Sequence, residues 1–438
     1  MNKKKINPRD TWYKLDLSAN VYPTLQRKDF SNIYRISITL KEKIQPDILQ
    51  EAFDITITRF PTFKVALRKG FFWRYFEPNN RPGPYVQPDI ENICMPIHFR
   101  ANNRYLIRIY YYECRISMEV FHSISDGNGT LYFLRTLAAV YLRLLGHDIP
   151  NGSGVLDVNE EPSPEELEDS YLRYASSKVR PPRSQSRAYR VRGTLEPFYT
   201  LNVICGVLPV EQVLKVARGY GVSVTEYLNS VLLYALMLKQ KSDCLSRERP
   251  LKIAMPVDLR NFFPSESMRN FISMVYPSID PRMGDYTFED ILTHVHHYMR
   301  YYINEKFMNA DITTNAATQQ HPVIRIVPLF IKDIVVRQFY IRVQDCQSSA
   351  GLTNLGVIRL SPELAEHVDR FDAILGQPFS PRTNCAILSF QNTLTINFAS
   401  SIKETDVERY FFRKLVQDGI HVKIETNRRQ EDFLCHTV

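Results

Sequence analysis

The 438-residue chain is longer than one hydrophobic core usually organises, so two domains or two tightly joined subdomains are expected. Its 44% hydrophobic and 23% charged residues are ordinary globular values that leave little room for long disordered stretches. No run approaches the roughly 18 to 20 apolar residues of a membrane span, and the formal charge of +8 asks for an anionic partner, whether nucleic acid, an anionic membrane surface, a phosphorylated cofactor or an acidic carrier protein. No nucleic-acid motif accompanies the basic residues, so nucleic acid is set aside.

The basic start Met-Asn-Lys-Lys-Lys is not followed by the apolar segment of a secretory signal, and a cytoplasmic location is expected. Seven cysteines, at 94, 114, 205, 244, 346, 385 and 435, form neither a disulfide framework nor a Cys-x-x-Cys pair, and are expected to be reduced and mostly buried.

In chain order, Pro46 to Phe60 has helical apolar spacing that starts at a proline and stops at Pro61. Thr62 to Leu67 with Phe71 to Phe76 reads as a hairpin, as does Tyr105 to Tyr112 with Arg115 to Phe121. The last of these strands puts Ile116, Met118 and Val120 on one face, which His122 continues, and a helix follows from Asn128 to Leu145. Asn151-Gly-Ser-Gly154, the acidic run Asp157 to Asp169 and the basic run Lys178 to Arg192 then separate two halves. The expected division is a first subdomain over 1–155, a charged linker over 156–195 and a second subdomain over 196–438. Beyond it, helices are predicted over Val210 to Arg218, Val224 to Lys239, Phe288 to Asn304 and Glu404 to Asp418. Strands are predicted over Leu251 to Val257, Val357 to Leu360, Ala386 to Phe390, Leu394 to Phe398 and Ile420 to Glu425.

An internal repeat organises this list. Laid without gaps, Ile116 to Leu137 matches Leu394 to Leu415 as strand, turn and helix. Identical pairs are Ser123 with Ser401, Ile124 with Ile402, Tyr132 with Tyr410, Phe133 with Phe411, Arg135 with Arg413 and Leu137 with Leu415. The halves therefore read as divergent copies. They differ where chemistry would sit: His122 is matched by Ser400 and Asp126 by Glu404.

His122-Ser-Ile-Ser-Asp126-Gly127 places an imidazole at a strand end, with a carboxylate four residues on and a glycine free to take backbone angles closed to other residues. Chance should yield roughly 0.02 copies of His-x-x-x-Asp-Gly in such a chain, which makes the pattern specific enough to build on. The bland reading is a buried histidine, with Asp126 merely capping the helix. A covalent reading through Ser123 or Ser125 lacks a Gly-x-Ser-x-Gly elbow.

This motif, the two-copy arrangement and the length resemble the superfamily of chloramphenicol acetyltransferases, peptide-synthetase condensation domains, plant acyltransferases and alcohol acetyltransferases. Further similar segments are Leu49 to Pro61, Gly221-Val-Ser-Val-Thr-Glu-Tyr-Leu, Pro256-Val-Asp-Leu-Arg260 ahead of Asn270-Phe271, and Thr353-Asn354-Leu-Gly356. The resemblance implies an α/β fold of two pseudo-symmetric subdomains, each a mixed sheet with helices, with a tunnel between them. It implies an acyltransferase that moves an acyl group from acyl-coenzyme A, or from the phosphopantetheine of an acyl carrier, to an alcohol or amine. In that scheme His122 is the general base and no acyl-enzyme forms; an imidazole with an intrinsic pKa near 6.5 suits the task. Asp126 would turn from the cleft and pair with Arg260, in a brace that can be bidentate. Asn354 would sit near the reaction centre as an oxyanion or substrate contact.

The resemblance further implies a monomer with no tightly bound cofactor and no metal. An acyl or peptidyl carrier protein is a candidate partner. Phe121 before His122 departs from the paired histidines of condensation domains, and the Asp-Phe-Gly-Trp-Gly segment of the plant branch is absent, Gly376-Gln-Pro-Phe379 being the nearest string. Alcohol-acetyltransferase-like enzymes are thus the nearest branch, with a stand-alone amide-forming condensation enzyme and a non-catalytic carrier-binding module as alternatives. His294, His296 and His297 complete no zinc signature.

Overall fold

A computed structural model describes residues 11–428 except 17, 28–29, 180–185, 198–199, 245–246, 345–346 and 378–382. Part of the basic run, Phe379, Cys346 and Cys435 therefore lie outside the described residues.

The first half contains β1 (Tyr13–Lys14), α1 (Val21–Leu25), β2 (Ile33–Leu40), α2 (Pro46–Arg59), β3 (Val65–Lys69), β4 (Arg74–Pro78), β5 (Gln87–Pro88), β6 (Ile107–Tyr112), β7 (Arg115–Phe121) and α3 (Gly127–Leu144). A short α4 (Ser170–Tyr174) leads into β8 (Asn202–Pro209), α5 (Val210–Gly219), α6 (Val224–Ser242), β9 (Leu251–Asp258), β10 (Ile272–Val275) and β11 (Ser278–Ile279). Helices α7 (Phe288–Tyr302), α8 (Glu305–Gln320), α9 (Pro322–Ile326) and α10 (Leu329–Phe339) follow. The chain closes with β12 (Ala350–Ile358), α11 (Pro362–Glu366), β13 (Val368–Leu375), β14 (Thr383–Phe390), β15 (Thr393–Ser400), α12 (Asp406–Gln417) and β16 (Lys423–Thr426).

Two mixed sheets carry the molecule. The first runs β13-β2-β7-β6-β5; the second runs β10-β9-β12-β14-β15-β8-β16, with β11 also on β9. In the second, β12 is parallel to both β9 and β14, while β14, β15, β8 and β16 are antiparallel neighbours. A small sheet, β1-β4-β3, stands apart. Strand β13 comes from the second half of the chain yet forms the edge of the first sheet, antiparallel to β2 from Phe371 opposite Ile38 to Leu375 opposite Tyr34.

The repeat read from the sequence corresponds to equivalent topology. Strand β7 lies between its hairpin partner β6 and the earlier strand β2 and feeds α3, while β15 lies between β14 and β8 and feeds α12. Several identities are core positions of their own half: Ile124 and Ile402, Phe133 and Phe411, Leu137 and Leu415 are all buried. Phe133 packs among Phe53, Phe60 and Phe63, with ring centroids 6.2, 4.9 and 5.0 Å away. Truncating such a buried ring to alanine costs about 3 to 5 kcal/mol. Phe411 meets Phe398 at 5.0 Å in the second core.

The predicted hairpins and helices are present with ends shifted by a few residues, but β12 begins at Ala350 rather than Val357, so Thr353 to Gly356 lies within a strand. Strands β2, β8 and β13 and helices α8 to α10 were not foreseen. No single helix among the described residues is long and apolar enough to cross a membrane. Cys94, Cys205 and Cys385 are buried free thiols, whereas Cys244 is exposed.

Candidate active site

His122 is the first residue past β7, and its backbone N–H donates to Asn32 O at 2.9 Å, which carries the β2 pairing one step further. As a residue His122 is half-buried, between the buried Phe121 and Ser123. Tyr22 of α1 stacks on it at 4.5 Å with an 11° interplanar angle, and Tyr34 of β2 meets it edge-on at 4.8 Å.

Asn270 fixes the tautomer. Its Nδ2 donates to His122 O at 3.0 Å, and a carbonyl can only accept, so the amide orientation is set. Oδ1 then faces His122 Nδ1 at 3.1 Å and must receive the ring N–H. The lone pair is left on Nε2. Burial holds the imidazole pKa below its ordinary value of 6.5, opposed by the carboxylates of Asp126 and Asp16 and by the Asn270 contact. The neutral form is thus the resting form near pH 7.

Asp126 caps α3 and is tied across the chain as well. Its Oδ1 accepts from Gly129 N at 3.2 Å, and its Oδ2 accepts from Phe271 N at 3.0 Å and from Arg260 Nη1 at 2.8 Å. With both oxygens engaged and the side chain buried, it is not placed to take a proton. Arg260 sits on the turn after β9 and contacts Asp126 through Nη1 alone rather than bidentately, because Nη1 is shared with Asp258 at 3.1 Å. Its Nη2 donates to Ser267 O at 2.8 Å and Arg269 O at 2.7 Å. One guanidinium thus ties the His122 loop to the segment carrying Asn270.

Gly127 is needed for a different reason from the one expected. Its backbone is not in the left-handed region; rather, a Cβ there would come within 2.5 Å of Leu355 Cδ2 on β12. Gly129 is tighter still, since a Cβ would meet Met268 O at 2.3 Å. Asn354, one residue before Leu355, donates from Nδ2 to Thr225 Oγ1 at 2.9 Å and accepts from Gly356 N at 2.8 Å, leaving one amide hydrogen uncommitted by these bonds. At the matched position Ser400 is buried, and its Oγ accepts from Ile402 N at 3.3 Å.

Sequence reasoning quoted Asn270 only within a similar segment and missed Tyr22 and Tyr34, which lie in elements without a local signature. Of the helix histidines, the His296 and His297 rings stand 5.5 Å apart and His296 approaches Glu226 at 3.2 Å, and no metal-ligating cluster is found among the described residues.

No family model matches the chain, and no curated protein sequence matches it. Solved structures do. The trichothecene 15-O-acetyltransferase TRI3 of Fusarium sporotrichioides is 12% identical, with a TM-score of 0.61 over 95% of this chain and 96% of that one. The TRI101 protein of the same organism, solved with coenzyme A and T-2, is 10% identical, with a TM-score of 0.61 over 96% and 100%. Polyketide synthase associated protein 5 from Mycobacterium tuberculosis is 14% identical, with a TM-score of 0.59 over 94% and 98%. Full-length likeness at such low identity speaks to architecture, and it shows that this chain has the same fold as these proteins.

Proposed function

We propose that this chain is an acyltransferase that moves an acyl group from a thioester, acyl-coenzyme A or an acyl carrier, to an alcohol or amine, with His122 as general base. The observation that carries the reading is the Asn270 contact, which holds the proton on Nδ1 and leaves the lone pair on Nε2. In the reaction Nε2 takes the acceptor proton as the acceptor oxygen or nitrogen attacks the thioester carbonyl. The tetrahedral intermediate collapses, the carbon–sulfur bond breaks, and the imidazolium returns the proton to the leaving thiolate. Asp126 and Arg260 are positioning residues that hold the loop, and Gly127 lets it approach β12. Asn354 is offered as the donor to the developing oxyanion through its remaining amide hydrogen. The chemistry is supported by the fold, since TRI3 is an acetyltransferase and TRI101 was solved with coenzyme A.

The test is release of free thiol from a series of acyl-coenzyme A donors with pooled alcohols and amines. His122→Ala should lower the rate by about 10² to 10⁴ while the unfolding midpoint holds, because general-base help of that size is removed. A folded His122→Ala protein that transfers acyl groups at the wild-type rate would overturn the assignment.

A further inference from the structure

Helix α10 is amphipathic in the reverse sense for a soluble surface. Two of its three charged residues point at the body, while Arg337 is exposed: Asp333 accepts from Arg74 Nη2 at 2.6 Å and from Thr24 Oγ1 at 3.0 Å, and Lys332 Nζ donates to Phe72 O at 2.7 Å. Its apolar residues point outward, with Phe330 and Ile334 each 62% exposed and Val335 60% exposed, and no residue of the helix is buried. A surface helix normally shows the opposite arrangement. The tip of the β3–β4 hairpin extends the same patch: Leu329 N donates to Phe71 O at 2.8 Å, Phe71 is 66% exposed, and Trp73 is exposed beside it. Monomeric soluble proteins rarely leave contiguous apolar surface of this kind uncovered.

We propose that α10 and the β3–β4 hairpin tip form a docking face for an anionic lipid bilayer, inserting their apolar side chains at its interface. Charge favours this occupant. Between residues 322 and 344 stand Arg325, Lys332, Arg337 and Arg342 against Asp333 alone, and that carboxylate is already neutralised by Arg74. The hairpin tip adds Lys69, since Arg74 is spent on Asp333 and Arg68 is paired with Glu77. Apolar side chains with a basic surround are the signature of a helix lying in a membrane interface. A second copy of the chain fits less well, because an isologous contact would bring these basic groups against themselves. Both tryptophans of the chain stand on the small β1-β4-β3 sheet or its edge. Trp12 packs against Tyr75 at 5.7 Å, and Trp73 lies under Lys14 Nζ at 4.5 Å; indoles favour the membrane–water boundary. Docking of this face does not depend on the chemistry at His122.

The experiment is flotation of the full chain with vesicles of phosphatidylcholine alone and of phosphatidylcholine with phosphatidylglycerol, read alongside tryptophan emission. The wild type should float with the anionic vesicles and shift its emission to the blue. The double substitution Ile334→Asp, Val335→Asp should lower the bound fraction roughly tenfold or more, with an unchanged unfolding midpoint because both positions are exposed. Added salt should weaken the wild-type binding. Three results would each overturn the proposal: no flotation of the wild type, equal flotation of wild type and variant, or binding to neutral vesicles as strong as to anionic ones. Wild-type self-association abolished by the same substitutions, without vesicle binding, would assign the face to a second copy instead.

Discussion

Removing Arg260 should cost more than removing Asp126, and the two losses should not add. In Arg260→Ala the Asp126 carboxylate stays buried with only the N–H groups of Gly129 and Phe271, and the carbonyls of Ser267 and Arg269 each lose a donor. Breaking a buried ion pair from one side typically costs about 3 to 5 kcal/mol, and the stranded carbonyls place this case at the upper end. In Asp126→Ala the guanidinium keeps Asp258 at 3.1 Å and both carbonyls, so about 2 to 3 kcal/mol is expected, part of it from the lost helix cap. The double variant no longer strands the Asp126 carboxylate, so its destabilisation should fall short of the sum by about 1 to 3 kcal/mol. Urea unfolding of the four proteins measures all three quantities without knowledge of the substrate. Additive losses, or an Arg260→Ala cost under about 1 kcal/mol, would refute the view that this pair fixes the loop.

The acid limb of the rate profile should lie below pH 6.5, because burial favours neutral His122 and the base survives to lower pH; a limb at or above 6.5 would contradict this. Glu408 is buried beside Thr383, and desolvation lifts its carboxyl to about 7 from 4.5. The protonated folded form is then favoured, so the contribution is full below pH 4.5 and is lost as pH rises through about 7, a change of about 3 kcal/mol that Glu408→Gln should abolish in pH-dependent unfolding. Gly127→Ala should cost about 1 to 3 kcal/mol by overpacking and be relieved by Leu355→Ala, whereas Gly129→Ala meets a backbone carbonyl and should find no such relief; thermal unfolding of the single and double variants decides.

What the sequence disclosed and what it hid divide on physical lines. The strand, turn and helix of each copy are local periodicities, and the repeat could be read because Phe133 and Phe411 or Leu137 and Leu415 serve the same packing role in each half. Strand β2 does alternate, with Tyr34, Ile36, Ile38 and Leu40 separated by Arg35, Ser37 and Thr39, so it was legible in the sequence and was overlooked. What the sequence hides is that the polar face is buried as well, with Arg35 paired to Glu119 and Asp89 and Ser37 donating to Ser117. Asn270 stands 148 residues from His122, so its hold on the imidazole has no local trace. The Asp-Gly step suggested an unusual backbone at Gly127, whereas close approach by a strand more than 200 residues away explains it. Helix α10 has its apolar residues in clusters at helical spacing, and what the sequence does not disclose is that this apolar face looks outward.

The placement of β13 bears on the order in which the molecule is made. During synthesis β2 emerges early, but the strand that covers its open edge, Val368–Leu375, follows more than 300 residues later. At about 5 to 20 residues per second, that edge waits on the order of 15 to 60 seconds as an unpaired template for other chains. The first half is therefore not a self-sufficient folding unit on the ribosome. A nascent chain stopped before residue 368 should offer the β2 edge to chaperones, and one that extends past 375 should have lost that particular binding site.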